Sequence, residues 1–181
     1  KDPIGADTAK PGKWTYDQGV VLIGIERLWI KTANPIYFSY LQKSMDYFVT
    51  ETGDIKTYKA SDYNIDNVLC GRILLTLYNV TGQAKYYKAA SILREQLKSQ
   101  PRTKEGGFWH KKIYQNQMWL DGLYMGQPFY TSYAKQFHET QAFDDIANQF
   151  IWMEKHARDA ATGLLYHGWD ESKEQKWSNP V

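Results

Sequence analysis

Three aspartates, Asp17, Asp66 and Asp121, occupy equivalent places in a repeated pattern. Each opens a stretch with helical apolar spacing and is followed twelve positions on by an aromatic residue, Trp29, Tyr78 or Tyr133. Asp66 and Asp121 also share a glycine five positions on, Gly71 and Gly126. Around Asp121 stand Phe108, Trp109, His110, Lys111 and Trp119, and around Asp66 stand Tyr63 and Asn67. Farther along come Tyr166, His167, Gly168, Trp169 and Asp170. Two carboxylates, two histidines and several tryptophans in one place describe a pocket that cleaves sugars. Aromatic faces stack on the CH faces of sugars, and their polar tips bond hydroxyls. One carboxyl must keep a proton near neutral pH, which a neighbouring carboxylate and apolar walls favour and a helix dipole opposes. Asp17 lacks such neighbours and reads as a carboxylate stabilised at a helix start.

The elements that would position these residues are helices. Apolar spacing predicts them over Trp14–Lys31, Pro35–Glu51, Ile65–Val80, Gln83–Ser99, Trp119–His138 and Gln141–Ala157. Pro35 suits a first helical position, Gly82 a helix stop, and Pro128 a kink or break in the fifth helix. Residues 101–118 form a long segment without helical period, a length that tends to be functional. The odd-numbered helices are apolar around most of their circumference, and the even ones carry charge on one face, such as Lys85, Lys88, Arg94 and Lys98. Asp17 to Asp66 is 49 positions and Asp66 to Asp121 is 55. A tetratricopeptide array would repeat every ~34 residues. The longer period suits a toroid of helical hairpins, inner helices ringed by outer ones, with the starts of the inner helices at one end. Asp66 and Asp121 are then expected to face one cleft from adjacent inner helices, with Trp119 as a wall. The fold class expected is all-α.

Composition narrows the function. The chain has 181 residues, 15% of them aromatic, and a net charge of +2, which argues against a dedicated nucleic-acid binder. Its longest apolar run, Val20 to Ile25, is too short to cross a bilayer. A single cysteine, Cys70, excludes an internal disulfide and a cysteine-cluster zinc site, and reads as a small buried hydrophobe. No dense metal-ligand motif occurs, so neither metal nor cofactor is expected. His138 and His156 read as surface or capping residues. Residues 1–13 read as an extended arm, and 14–181 as the helical domain. No signal peptide is present in the chain, which leaves cytoplasm and periplasm open.

The segments Trp14-Thr15-Tyr16-Asp17-Gln18-Gly19, Ile65-Asp66-Asn67, Gly107-Phe108-Trp109-His110-Lys111, Met118-Trp119-Leu120-Asp121-Gly122 and Leu165-Tyr166-His167-Gly168-Trp169-Asp170-Glu171 resemble glycoside hydrolase family 105. These are unsaturated rhamnogalacturonyl hydrolases of bacterial carbohydrate metabolism. The resemblance runs from Trp14 to about Trp177 in one order without large gaps. It implies an (α/α)6 barrel and hydration of a vinyl ether in 4,5-unsaturated galacturonic acid linked to rhamnose, the product of pectin lyases. By resemblance the general acid/base falls on Asp121 and the second carboxylate on Asp66. Substrate contacts fall on Trp119, His110, Lys111, His167 and Tyr16.

Family members are about twice this length, and the chain supplies three hairpins where the barrel needs six. A fragment is therefore expected, the N-terminal half of the barrel, whose activity alone is open. Apolar residues left uncovered along the first helix (Val21, Leu28) or the last (Phe150, Ile151) are expected to drive self-association or pairing with the other half. The partner otherwise expected is an oligosaccharide substrate, with no nucleic acid and no membrane. Two alternatives compete. One is the related unsaturated glucuronyl hydrolase, acting on glycosaminoglycan or gellan fragments. The other is a non-catalytic helical scaffold, in which Asp66 and Asp121 would point away from any shared cavity.

Overall fold

The computed structural model describes residues 12–178. The expected arm lies outside the described residues as far as residue 11. Six α-helices account for most of the chain: α1 (Tyr16–Thr32), α2 (Pro35–Phe48), α3 (Gly71–Thr81), α4 (Ala84–Ser99), α5 (Leu120–Gln136) and α6 (Ala142–Ala157). Two short strands, β1 (Gln117–Trp119) and β2 (Gly168–Asp170), complete them. The chain divides into two compact units, residues 1–59 with 67–95, and residues 60–66 with 96–181.

In the first unit α1 and α2 form a hairpin closed by two residues. Ala33 takes a left-handed conformation, φ 54°, and its N–H donates to Trp29 O at 2.7 Å. The Asn34 side chain then accepts from Ile36 N at 3.0 Å, and Pro35 occupies the first helical position. The start of α1 is held by Trp14, which is buried and donates Nε1 to Asn67 O at 2.7 Å. α3 packs on both helices and ends at Gly82, φ 67°. The core of this unit is Leu22, Leu41, Met45, Phe48, Leu69, Ile73, Leu74, Leu77 and Tyr86, all buried. Cys70 is buried there, and burial pushes its thiol up to about 12. Val21 and Leu28 on α1 are exposed, so α1 is not covered on all sides as its apolar circumference suggests.

In the second unit α5 packs against α6, and β1 pairs antiparallel with β2: Gln117 faces Asp170, Met118 faces Trp169, and Trp119 faces Gly168. Met118, Met153, Ala157 and Trp169 form a small core, with Leu120, Leu123, Trp152 and Leu165 against it. Of the kink or break expected at Pro128, the break is absent, because α5 continues through that residue. Phe129, Tyr130, Tyr133 and Ala134 are buried just beyond the proline, and that burial outweighs the lost backbone bond.

The helix expected from Ile65 begins only at Gly71. The Asn64 side chain accepts from Asp66 N at 3.0 Å and starts a 3-10 turn, Ile65–Val68, ahead of α3. Asp66 thus lies on a turn and not on an inner helix.

Candidate active site

The second unit builds a polar cluster from three segments: residues 60–66, the long segment 101–119, and the first turn of α5. Backbone bonds tie the first two together. Ile65 N donates to His110 O at 3.0 Å, and Lys112 N to Asp62 O at 3.1 Å. Buried Gln100 adds Nε2 bonds to Tyr63 O and Trp109 O, both 2.7 Å. These bonds put Asp66 beside His110 and Lys111. The ribbon positions the third segment: His110 N donates to Gln117 O at 2.8 Å, and Leu120 N to His167 O at 2.6 Å. Asp121 follows as the second residue of α5. A Cβ on Gly122 would lie 3.0 Å from His110 Nδ1, so the absence of a side chain there lets the imidazole lie against the helix.

Asp66, His110 and Asp121 each bring one polar atom within 4.8 Å of the others. Among the described residues this is the one grouping whose chemistry could hold a metal ion. Lys111, however, already supplies a positive charge to it, with Nζ 2.7 Å from Asp66 Oδ2. His110 Nε2 lies 3.0 Å from Asp66 Oδ1. Burial works to raise the Asp66 pKa, but the His110 and Lys111 contacts outweigh it and hold the carboxyl below its usual range.

The two carboxylates differ in exposure. The Asp66 side chain is 7% exposed, and that of Asp121 is 40%. Asp121 Oδ1 is sheltered without a hydrogen-bond partner, its nearest cation being His167 Nε2 at 4.0 Å. His167 itself is 60% exposed, on the rim.

Trp119 is the wall beside these groups. It stacks on His110 at 4.4 Å and 9°, and on Tyr114 at 4.6 Å and 17°. Trp177 meets it edge-on at 5.8 Å, and Trp119 Nε1 donates to Gln117 Oε1 at 3.0 Å. Asp170 organises the segment that bears Trp177, accepting from Ser172 N, Ser172 Oγ and Gln175 N at 2.7 to 3.0 Å.

Asp66, Asp121, His110, Lys111, Trp119 and His167 are therefore brought together within one unit. Tyr16, the first residue of α1, belongs to the other unit and is exposed. Sequence reasoning did not single out Tyr114, Gln117 or Trp177 as parts of this wall. His138 follows the end of α5 with φ 56°, and His156 stacks on Trp169 at 3.9 Å with Nε2 3.0 Å from Glu105 Oε2.

A family model described as Glycosyl Hydrolase Family 88 matches residues 3–181, and the chain belongs to that family. The chain is 28% identical over 171 residues to the unsaturated rhamnogalacturonyl hydrolase YesR of Bacillus subtilis, covering 91% of this chain and 48% of that protein. Among solved structures, a family 105 glycoside hydrolase of C. acetobutylicum matches with a TM-score of 0.89 and 50% identity, over 93% of this chain and 47% of that one. An α-1,6-mannanase of Salegentibacter, GH76A, shares the fold at a TM-score of 0.72 and 15% identity, over 92% and 48%. The chain spans about half the length of the relatives it matches. The family 105 resemblance and the all-α hairpin class of the (α/α)6 toroids, three hairpins here, both stand. Among the described residues no helix is long and apolar enough to cross a membrane.

Proposed function

We propose that the protein carrying this chain removes 4,5-unsaturated galacturonic acid from rhamnogalacturonan oligosaccharides by hydrating the C4=C5 vinyl ether. The observation that supports this most is the pairing of two unlike carboxylates beside an aromatic wall. Asp66, held ionised by Lys111 and His110, is a poor proton donor. Asp121, more exposed and free of such partners, is the group able to reach a substrate. In this reading Asp121 donates its proton to C4 and then accepts one from the water that adds at C5. The product is a hemiketal at C5. Its opening breaks the ring C5–O bond, and the hemiacetal left at C1 releases the neighbouring sugar. No glycosyl-enzyme forms, so carboxylate separation carries no stereochemical message here. Trp119 borders the sugar as a wall, and Lys111 and His167 face its carboxylate and hydroxyls.

The reading draws on the names of relatives, an unsaturated rhamnogalacturonyl hydrolase and a family 105 enzyme. The competing glucuronyl specificity has a relative of its own fold, an unsaturated glucuronyl hydrolase specific for heparin, at 17% identity. Ultraviolet absorbance of the unsaturated bond separates them: it should disappear with an unsaturated galacturonyl-rhamnose disaccharide and persist with unsaturated glucuronyl disaccharides. The reverse would transfer the assignment to the glucuronyl branch, and persistence with both would favour a binding scaffold. The close approach of Asp66 and Asp121 argues against that scaffold, which has them pointing apart.

The domain 14–181 is, in this proposal, the N-terminal half of the barrel. Exposed Val21 and Leu28 in the first unit, and Phe150 and Ile151 in the second, are then covered by the remaining half or by a second copy. Sedimentation of the 181-residue chain should show self-association or a bound partner half. A lone monomer at tens of micromolar would overturn this.

A further inference from the structure

Behind the Trp119–His110 stack lies a cavity of about 10 Å³ as seen by a water-sized sphere, lined by Ile65, His110, Gly122, Gln127 and Gln149 among others. That is room for one water molecule, provided two or more polar partners surround it. The polar liners can be accounted for one by one. Gln149 is committed: its Oε1 accepts from Phe108 N at 2.8 Å, and its Nε2 bonds Asp145 Oδ1 at 3.1 Å. Trp119 Nε1 is committed to Gln117. Three buried atoms remain without hydrogen-bond partners, Gln127 Oε1 and both ring nitrogens of His110, on residues 2% and 1% exposed; Nε2 is turned to Asp66, which leaves Gln127 Oε1 and His110 Nδ1.

The chemistry of Gln127 Oε1 and His110 Nδ1 sets what would bond both. His110 Nε2 faces an Asp66 carboxylate oxygen at 3.0 Å, so Nε2 carries the ring proton, since two lone pairs would repel. In the neutral ring Nδ1 is then an acceptor, and Gln127 Oε1 is always one. Two acceptors on one small cavity call for a donor with two hydrogens. We propose that a single structural water occupies this cavity, donating one hydrogen to His110 Nδ1 and the other to Gln127 Oε1. Gln127 is thereby a positioning residue, fixing the His110 tautomer and ring plane that face Asp66 and stack on Trp119. Local geometry supports a built site. Gly122 and Gly126 on α5 leave the space: a Cβ would lie 3.0 Å from His110 Nδ1 at the first, and 3.0 Å from Ile65 Cγ2 at the second. A buried oxygen and nitrogen left unpartnered are each costly, and one water removes both costs.

The kinetic part of this proposal rests on the hydrolase reading, but the water and the tautomer do not. The test therefore starts without substrate. Nitrogen-15 spectra of the neutral histidine rings should show His110 as the Nε2–H tautomer, with Nδ1 hydrogen-bonded and a long-lived water close to it. An Nδ1–H tautomer, or two tautomers in rapid exchange, would overturn the proposal in the wild-type protein alone. Gln127→Met keeps length and removes the acceptor. It should shift the Nδ1 signal, release the water and let the tautomers mix. An unchanged His110 spectrum in a folded variant would also overturn the proposal. In a turnover assay kcat should fall by up to about 10²-fold with little change in KM, the pattern of lost positioning. A KM rise with kcat unchanged would contradict a positioning role. If the wild type turns over no substrate at all, the hydrolase reading fails and the spectra still decide the water.

Discussion

The two units of the chain solve different problems with the same building element. In the first, buried polar groups are matched. Lys85 lies 2.9 Å from both Asp46 and Glu51, Tyr86 Oη donates to Asp46 Oδ1 at 2.7 Å, and Thr76 bonds Glu26. Around these lies a continuous apolar core. Among the described residues its unmatched buried side-chain atoms are Gln18 Oε1 and Ser44 Oγ. In the second unit, apart from Trp109 Nε1, such atoms gather at one place: Asp66 Oδ1, both ring nitrogens of His110, Asp121 Oδ1 and Gln127 Oε1. Buried polar groups without partners are costly and uncommon. They cluster beside the aromatic wall, and in the proposed reading their partners are a substrate and water. On that reading the first unit is organised for stability and the second for chemistry, and substitutions should separate the two.

The largest stability loss should come from the first unit. Phe48→Ala removes a buried ring and should cost about 3–5 kcal/mol in urea unfolding, with activity per folded molecule preserved. A specific activity that falls with stability would blur the contrast. Asp66→Asn should lose about 1–3 kcal/mol near pH 7, because Lys111 keeps a partly buried charge without its partner, and activity should fall as well. Its pH dependence has a definite sign. The folded-state pKa of Asp66 is lowered, so the stabilisation is complete above the unfolded value of about 3.9 and vanishes as pH falls through the folded one. The gap between wild type and Asp66→Asn should thus close below about pH 4. A gap that persists in acid would mean packing, not charge, is what Asp66 supplies. Trp119→Leu should cost about 0.5–1.5 kcal/mol beyond area for the two lost ring stacks, read as weaker substrate binding as well as a lower Tm. Lys85→Met in the first unit should change stability by at most about 1 kcal/mol, since Asp46 and Glu51 reach solvent, and should leave activity unchanged.

Helices were legible because Leu69, Ile73 and Leu77, or Phe38, Leu41, Met45 and Phe48, keep the helical period over many residues. The same period misled at Asp66. The apolar run continues through Ile65, and only the Asn64 side-chain bond shows that a 3-10 turn comes first. The β1–β2 ribbon was illegible because three-residue strands show no alternation. Trp119, His110, Lys111 and His167 could be named because resemblance marks them. Tyr114 and Trp177 reach Trp119 only through loop geometry that has no period to read. Gln127 gave one faint signal, an amide amid the apolar residues of α5, and only burial exposes its significance. Pro128, read as a kink or break, does not end α5, which continues into the buried aromatic residues after it.

The most direct measurement compares Asp121→Asn with wild type in the full-length protein, following loss of the unsaturated bond by ultraviolet absorbance and substrate binding by calorimetry. The exchange keeps the shape of a side chain that has no ion-pair partner closer than His167 at 4.0 Å, so folding and binding should be retained. Turnover should fall by about 10²–10⁴-fold, the usual contribution of a general acid. A variant within about threefold of wild type would contradict the assignment and move the proton donor to another residue, Asp66 first.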